Sequence, residues 1–292
     1  MITVGITTKN RKEELERSLL SARLLRPVPK ILVIDDGSTD GTSAMVKELF
    51  PEVHLISCSE SAGLIARRNQ LARECGTKYL ASIDDDAYFQ DSTTLQAGVE
   101  HLEASPSVAV VALPYINVKI SDDVLQLPAE NQLSCELGAY TGTAHIIRVD
   151  TFLELGGYPD YLIRQGEESF YSLLAMNAGR KVEAIHAVPL HHHHSPIRDN
   201  EKIVFYARRN EVISALLLWP VHMLPNRIAR LTARLIRSIA STRLVKANVS
   251  GFLAGVFAGG IKMRADRRPV KPATIKTHLR LLALDRRRRE QG

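Results

Sequence analysis

Short, continuous apolar runs alternate with amphipathic segments along the first 113 residues of the chain. The runs predict buried strands at Ile2–Thr7, Ile31–Ile34, Val53–Ser57, Tyr79–Ile83 and Val108–Leu113. Helices are predicted between them, at 13–25, 42–49, 63–75 and 92–104. Strands joined through helices pair in parallel, because a parallel connection needs a long crossover. The pattern therefore predicts an α/β fold on a mostly parallel, doubly wound, Rossmann-like sheet.

The second half of the chain is less regular and then changes character. Residues 114–145 are predicted to form loops and edge strands, followed by helices near 152–155 and over 167–178 and a strand over 181–188. Beyond about residue 200 the sequence shows helical periodicity and many arginines. We place a boundary near Pro196, which predicts an α/β domain over residues 1–198 and a helical, basic extension over residues 199–292.

The two predicted parts carry opposite charge. Residues 201–292 contain 20 basic and 5 acidic residues, a net charge of +15, whereas residues 1–200 contain 18 basic and 27 acidic residues, a net charge of −9. The basic part is therefore expected to meet an anionic partner. Aromatic residues make up only 5% of the sequence, which disfavours base-stacking surfaces, and we expect no nucleic-acid partner.

Acidic residues follow two of the predicted strands directly. Asp35 and Asp36 end the second strand, and Asp84, Asp85 and Asp86 end the fourth. Ligands of open parallel sheets bind at these carboxyl ends. Residues two apart in an extended segment face the same side, so Asp84 and Asp86 are expected to point together and Asp85 away. Paired carboxylates suit a hard divalent cation, and we predict Mg²⁺ or Mn²⁺ here, although a solvated acidic loop has the same composition.

Asp35 and Asp36 admit two interpretations. Acidic residues at this position cap a following helix, and their carboxylates also accept hydrogen bonds from a nucleobase or a ribose. The glycine-rich phosphate loops of ATPases and of NAD enzymes are absent from the strand ends. The sequence thus favours a ligand that contains a nucleoside but does not need such a loop.

A series of motifs resembles the family 2 glycosyltransferases, which have the GT-A fold. The motifs are Thr7–Arg11 after the first strand, DDGSTDGT at 35–42, Gly63 with Ala66-Arg67-Arg68-Asn69, Asp84–Asp86 as the acidic DxD motif, Gly156-Gly157-Tyr158, Gly166-Glu167-Glu168 and His192–Pro196. The resemblance covers about residues 1–210 and does not extend over the basic tail.

The resemblance implies an inverting, single transfer of a sugar from a nucleoside-diphosphate sugar, such as a UDP- or dTDP-sugar. The acceptor it implies is a hydroxyl of a glycan or lipid-linked molecule in cell-envelope polysaccharide synthesis. It further implies nucleotide-binding roles for Thr8, Arg11, Asp35, Asp36, Arg67, Asn69, Asp84 and Asp85, with Arg68 as the alternative to Arg67. Asp86 and Asp84 would hold the metal, whose charge offsets that of the leaving diphosphate.

Two assignments stay open within the resemblance. The family's catalytic base is the second acid of a Gly-Glu-Asp-like triplet, which corresponds to Glu168; because glutamate replaces aspartate here, Glu167 is a rival. Either glutamate is also a residue type that favours the first turn of a helix. Within the histidine run, the spacing to Ser195 favours His192 as a further metal ligand, and strand alternation leaves His194 open.

Two other functions fit parts of the sequence. A nucleotidyltransferase of similar fold also uses carboxylates and Mg²⁺, but it requires a basic glycine-rich loop after the first strand, where TTKNRKEE contains no glycine. A nucleic-acid-binding protein would use the basic tail, but the acidic body and the few aromatic residues count against it.

The basic tail also bears on where the protein acts. Basic residues recur at three- and four-residue steps along one predicted helix, at Arg227, Arg230, Arg234 and Arg237. Apolar residues form another stripe of that helix, at Leu231, Leu235 and Ile239. Such a helix either lies in a membrane interface, which we favour, or packs on the catalytic domain with its arginines solvated. With no signal-peptide or membrane-spanning pattern and three scattered cysteines, we expect a cytoplasmic protein attached peripherally to the anionic cytoplasmic face of the membrane.

Overall fold

The computed structural model describes residues 1–194, 199–241 and 244–291. Its strands are β1 (Ile2–Thr8), β2 (Lys30–Asp35), β3 (His54–Ser57), β4 (Tyr79–Asp84), β5 (Ala87–Tyr88), β6 (Val108–Ala112), β7 (Tyr115–Ile116), β8 (Val124–Leu125), β9 (Ser134–Glu136), β10 (Ala144–Arg148), β11 (Lys181–Ile185) and β12 (Leu190–His192). Its helices are α1 (Lys12–Ala22), α2 (Thr42–Leu49), α3 (Leu64–Glu74), α4 (Thr94–Ala104), α5 (Val149–Glu154), α6 (Glu167–Asn177), α7 (Asn200–Leu218), α8 (Leu224–Ser241), α9 (Val245–Lys262) and α10 (Pro272–Gln291).

The main sheet has the strand order β3-β2-β1-β4-β10-β6-β11-β9. Strands β3, β2, β1 and β4 are mutually parallel, β6 and β11 run the same way, and β10 and β9 run against them. The predicted mostly parallel α/β sheet is confirmed. The carboxyl ends of β1, β2 and β4 meet at one edge, which brings Thr8, Asp35 and Asp84 level with one another.

Strand β10 departs from the expectation of loops and edge strands up to residue 145. It lies in the middle of the main sheet, between β4 and β6, and all of its residues are buried. The run Ala144–Arg148 is short and antiparallel to its neighbours, so it lacks the helix-strand spacing that identified the other central strands.

A smaller sheet, with the order β5-β12-β7-β8, covers the end of β4. Its strand β12 pairs antiparallel with β5, so that His192 lies opposite Ala87, and parallel with β7. The backbone N–H of His193 also donates to the carbonyl of Asp86 at 2.8 Å. This pairing carries the histidine run to the acidic cluster, more than 100 residues away in sequence.

The predicted helical C-terminal region is confirmed by α7, α8, α9 and α10. One hydrophobic core contains side chains of these helices, among them Ile213, Trp219 and Ile275, together with Leu71 and Phe170 of the α/β part. The helices therefore pack on the sheet and its own helices as part of one core. The predicted division at residues 198 and 199 stays a prediction, and its boundary near Pro196, like Ser195 of the histidine motif, lies outside the described residues.

Helix α9 packs closely on α7 through glycines spaced four residues apart. A Cβ on Gly251 would lie 2.4 Å from the carbonyl oxygen of Phe205, and a Cβ on Gly255 would lie 2.6 Å from that of Arg209. The glycine face thus lets two backbones approach each other. The opposite face exposes apolar side chains, including Leu253 and Phe257.

Helix α8 is only partly covered by the protein. Leu231 of the predicted apolar stripe is buried in the protein core, where α8 packs on α7 and α9, whereas Ile239 of the same stripe is exposed. Exposed apolar side chains also lie on α9. None of the helices in the described ranges combines the length and the apolar character needed to cross a bilayer.

Candidate active site

A cleft of about 830 Å³ opens at the carboxyl edge of β1 and β4, between the two sheets and the start of α6. It is lined by most of the predicted site residues: Thr8, Arg11, Asp36, Arg67, Asp84, Asp85, Asp86, Glu167, Glu168, His192 and His194. Two predicted residues, Asp35 and Asn69, are not among its lining residues. The strand-end clusters and the later glutamates and histidines therefore meet in one place.

Asp84, Asp86 and His192 form a compact donor group. Their ligand atoms lie within 4.8 Å of one another. His192 Nε2 is 3.1 Å from Asp86 Oδ1 and 3.9 Å from Asp84 Oδ2. As predicted from strand alternation, Asp84 and Asp86 point together, whereas Asp85 lies outside the group.

Asn117 orients the ring of His192. The Nδ1 of His192 lies 2.7 Å from Asn117 Oδ1, an oxygen that accepts a hydrogen bond. Without a cation, Nε2–H is placed to donate to Asp86; with a cation bound, the proton would stay on Nδ1 toward Asn117 and the lone pair of Nε2 would face the cation. Oxygen and imidazole donors directed at one point fit a divalent cation. His194 is not part of this group; its ring packs against that of His192, with centroids 5.2 Å apart.

Arg11 and Thr8 hold the other acids of the DxD turn. Asp85 accepts hydrogen bonds from Thr8 Oγ1 and Arg11 Nη1, both at 2.8 Å, and the same Nη1 lies 2.7 Å from Asp86. Burial raises the pKa of Asp85 to about 7. For Asp86, burial is outweighed by His192 and Arg11, which hold its pKa below the usual range. Asp86 is therefore the ionised member of this pair, as a metal ligand must be.

Asp36 and Arg67 lie together on one side of the cleft. The carboxylate of Asp36 accepts from Ser61 Oγ, from the backbone N–H groups of Ala62 and Gly63 and from Arg67 Nε, at 2.6–2.9 Å. Asp36 thus fixes the turn at the start of α3, where Gly63 has a φ of +89°. Four donors saturate its two oxygens.

Asp35 and Asn69 lie behind the residues that line the cleft and hold neighbouring segments in place through hydrogen bonds. Asp35 accepts from the backbone N–H of Ser38 and from the hydroxyl of Ser43, which folds the loop before α2. Asn69 donates to the carbonyl of Tyr158 and to Asp160, and accepts from the Tyr158 N–H. These contacts tie the Gly156-Gly157-Tyr158 segment to α3. Neither residue lines the cleft.

Arg68 joins the two acidic parts of the site. Its Nη2 donates to Asp84 Oδ1 at 2.7 Å and to the carbonyl of Gly142 at 3.0 Å. Its Nη1 lies 3.2 Å from Glu167 and 3.4 Å from Glu168. Arg68 is buried, so its positive charge acts on all three carboxylates with little solvent screening.

Sequence reasoning named Arg68 only as an alternative to Arg67 beside the nucleotide and did not foresee that it joins Asp84 to the two glutamates. On α3, position 68 shares a face with Ile65 and Ala72, which are buried. An arginine on the apolar side of a helix could have indicated a buried ion pair, because a buried charge needs partners. Asn117 lies in an irregular segment and carried no comparable signal.

Glu167 and Glu168 begin α6 and differ in access. Gly166, at φ +89°, precedes them in the left-handed conformation that glycine favours. The side chain of Glu167 is 2% exposed and that of Glu168 is 16% exposed. Burial and the nearby charge of Glu167 raise the pKa of Glu168 to about 8, against the opposing effect of Arg68.

Gly142 leaves the space that this arrangement needs. A Cβ built on Gly142 would lie 2.4 Å from both Arg68 Nη1 and Glu168 Oε1. Any side chain there would displace the guanidinium or the carboxylate. The glycine is therefore part of the site, although sequence reasoning gave it no role.

A mostly parallel sheet with acidic strand ends, closed by a small second sheet and a helix that begins with two glutamates, defines a glycosyltransferase of the GT-A class. The sequence model described as Glycosyl transferase family 2 matches residues 3–155, and the chain belongs to this family. The curated proteins give no significant match.

Solved structures with this fold include several glycosyltransferases. The mannosyltransferase PcManGT from Pyrobaculum calidifontis, in complex with GDP-Man and Mn²⁺, is 18% identical with a TM-score of 0.59, over 91% of this chain and 88% of that one. Residues 1–349 of S. aureus TarS, in complex with UDP-GlcNAc, are 14% identical with a TM-score of 0.61, over 90% and 81% of the two chains. GalNAc-T7 with UDP, GalNAc and Mn²⁺ is 16% identical with a TM-score of 0.64, over 91% and 58%. At these identities the similarity shows the fold.

Proposed function

We propose that the protein is an inverting, metal-dependent glycosyltransferase that makes a single addition. It transfers a sugar from a nucleoside-diphosphate sugar, of the UDP or dTDP type, to a hydroxyl of a glycan or lipid-linked acceptor. One observation carries this proposal: the Asp84–Asp86–His192 donor group and the Glu167–Glu168 pair face one cleft and share Arg68. Two solved relatives of the same fold hold Mn²⁺, which supports a metal here.

The nucleotide is assigned to the side of the cleft formed by Thr8, Arg11, Asp36 and Arg67. Asp36 is saturated by four donors, of which three belong to the backbone or to a guanidinium. The fourth, the Ser61 hydroxyl, rotates freely about one bond. We propose that a donor group of the base or the ribose takes the place of Ser61 on Asp36, while the other contacts keep the loop in position.

Asp84, Asp86 and His192 are the residues that would hold Mg²⁺ or Mn²⁺. A cation bound there would act as a Lewis acid that offsets the charge of the leaving diphosphate. Arg11 lies against Asp86 and Asp85, and its positive charge offsets part of their negative charge.

Glu168 is the proposed catalytic base, because it lines the cleft and is the more accessible of the two glutamates. Its carboxylate takes the proton of the acceptor hydroxyl as that oxygen forms a bond to the anomeric carbon. The bond from that carbon to the diphosphate breaks, and its electron pair leaves with the nucleoside diphosphate. Attack opposite the leaving group inverts the anomeric centre. Arg68 fixes the carboxylate, and Glu167 strengthens it as a base by raising its pKa.

We also propose that the enzyme works on the cytoplasmic face of a membrane. Support comes from the net charge of +15 in residues 201–292 and from the exposed apolar row of α9. Basic and apolar side chains together favour an anionic bilayer surface.

The proposed function is tested by a panel of sugar nucleotides in water, because a glycosyltransferase slowly transfers its donor sugar to water. Release of nucleoside diphosphate from one donor, dependent on Mn²⁺ or Mg²⁺, is expected. Equal release from the Glu168→Gln variant in an acceptor assay would remove the base assignment, and no release from any donor would argue against the function.

A further inference from the structure

A second cavity, of about 820 Å³, lies among helices α6, α7, α8 and α10. Gln165 lines both this cavity and the cleft, and Gly166 also lines the cavity. These two residues directly precede Glu167 and Glu168. The cavity therefore borders the start of α6, where the proposed base lies.

Arginines dominate the polar part of this cavity. Arg227, Arg234, Arg286 and Arg287 line it, against the acids Glu211 and Asp285. The carboxylate of Glu211 pairs with three arginines: with Arg227 Nη2 at 3.1 Å, with Arg234 Nη1, and with Arg208 Nη1 at 3.3 Å. Four arginines against two acids leave an excess of positive charge at this wall.

Arg227 shows this excess most directly. Its side chain is 15% exposed, and its guanidinium lies over the ring of Trp219, 4.9 Å from the centroid. Within the part of the chain that the structure describes, its Nε has no hydrogen-bond partner. A half-satisfied guanidinium at a cavity wall is suited to an anion that accepts several hydrogen bonds, as a phosphate does.

The rest of the wall is apolar. It is formed by Leu173, Ala215, Trp219, Leu279 and Leu282. A ligand that fills the cavity therefore needs an anionic group beside the arginines and an apolar part along this wall. A neutral, purely sugar-based acceptor offers neither of these.

We infer that the cavity is the acceptor site, and that the acceptor is a phosphorylated amphipathic molecule whose phosphate binds Arg227, Arg234 and Arg287. This inference rests on the proposed function. The phosphate lies at the arginines, the apolar chain follows the wall near Trp219, and the acceptor hydroxyl reaches past Gln165 toward Glu168. The basic charge of the C-terminal helices thereby serves substrate binding as well as attachment.

The fluorescence of Trp219 reports directly on binding in the cavity, because Trp219 is the single tryptophan of the sequence. Decyl phosphate, titrated below its critical micelle concentration, is expected to change Trp219 fluorescence in a saturable way. Inorganic phosphate is expected to bind at least about tenfold more weakly, because it lacks the apolar part, and decanol should give no saturable change. Equal affinity of inorganic and decyl phosphate would overturn the inference.

Two variants of equal charge separate the cavity from the rest of the tail. Arg234→Gln/Arg287→Gln removes exposed arginines from the cavity and should weaken decyl phosphate binding about tenfold or more. Arg230→Gln/Arg237→Gln removes exposed arginines of α8 that do not line the cavity and should change binding less than about twofold. Equal affinity in both variants would overturn the inference.

The same titration distinguishes this inference from the proposed function. The Asp86→Asn variant should lose metal-dependent donor hydrolysis and keep decyl phosphate binding. Donor hydrolysis without decyl phosphate binding would overturn the cavity assignment alone. Decyl phosphate binding without hydrolysis of any donor would count against the proposed function and, since an acceptor site needs a transferase, against the acceptor role as well.

Discussion

The two halves of this molecule arrange the same charged groups in opposite proportions. In the cleft, Arg68 is surrounded by Asp84, Glu167 and Glu168. In the helical region, Glu211 is surrounded by Arg208, Arg227 and Arg234. One site therefore has an excess of carboxylates and suits a cation, and the other has an excess of guanidinium groups and suits an anion. The comparison shows that the net charge of +6 hides two local fields that serve different ligands.

The largest effect is expected from removing the charge at the centre of the cleft. Arg68→Gln leaves three carboxylates close together without a counterion, so the free energy of unfolding should fall by about 3–5 kcal/mol and activity should be lost. Urea denaturation measures the first and donor hydrolysis the second. Arg73→Gln, on the exposed side of the same helix, should change stability by less than about 0.5 kcal/mol.

The double variant sharpens this prediction. Adding Glu167→Gln to Arg68→Gln removes one of the stranded charges and should recover part of the stability without recovering activity. If Arg68→Gln alone costs less than about 1 kcal/mol, the carboxylates are not held by Arg68 as we describe.

The next effect concerns the base. Glu168→Gln keeps the shape of the side chain but cannot take a proton, so transfer should slow by about 10²-fold or more while donor binding persists. In the wild-type enzyme, kcat/KM should rise with pH up to about pH 8, as Glu168 loses its proton, and this rise should be missing in the variant. A collapse in Glu167→Gln with a near-normal Glu168→Gln would transfer the role to Glu167.

The basic half predicts a smaller effect, on membrane attachment. Leu253→Gln/Phe257→Gln removes two exposed apolar side chains of α9 without changing charge, and binding to anionic vesicles should weaken about tenfold. Ile120→Gln/Leu133→Gln, exposed on the α/β part, serves as the matched control. Vesicle sedimentation measures both, and equal loss in the two variants would contradict the assignment. Point variants are preferred to a truncated chain because the helices share their core with the sheet.

The smallest effect is a pH dependence of stability. The folded protein holds a proton on Glu168 up to about pH 8, whereas the ordinary pKa of the group is 4.5. Between these values the folded state binds more protons, so this group's contribution to stability falls as pH rises through that window. Glu168→Gln removes this titration, so its gain in the free energy of unfolding over wild type should grow from pH 5 to pH 8.5. Glu130→Gln, at an exposed position, is the control. If both variants gain the same free energy of unfolding over wild type, Glu168 is not buried as described.

The regular strands and the acidic strand ends could be predicted from local sequence. Apolar runs mark β1, β2 and β4, and alternation correctly separated Asp85 from Asp84 and Asp86. Helical spacing likewise predicted the C-terminal helices. These features depend on residues that are neighbours in sequence.

The contacts that complete the site are long-range, and local patterns did not reveal them. Arg68 lies 99 residues from Glu167, and Asn117 lies 75 residues from His192. The antiparallel β10 brings Gly142 beside Arg68, and neither the strand nor the glycine could be assigned from its own neighbourhood. The burial of Leu231 on α8 likewise depends on how α7 and α9 pack against it, which helical periodicity alone does not give.

The most direct test of the central claim is metal-dependent release of nucleoside diphosphate from the donor that the panel identifies. Wild-type enzyme treated with EDTA should be inactive and should recover fully with Mn²⁺ or Mg²⁺. Asp86→Asn should be about 10³-fold slower even with added metal, and Asp85→Asn, whose residue lies outside the donor group, should stay within about tenfold of wild type. Full activity in EDTA, or Asp85→Asn and Asp86→Asn failing to the same extent, would contradict the account.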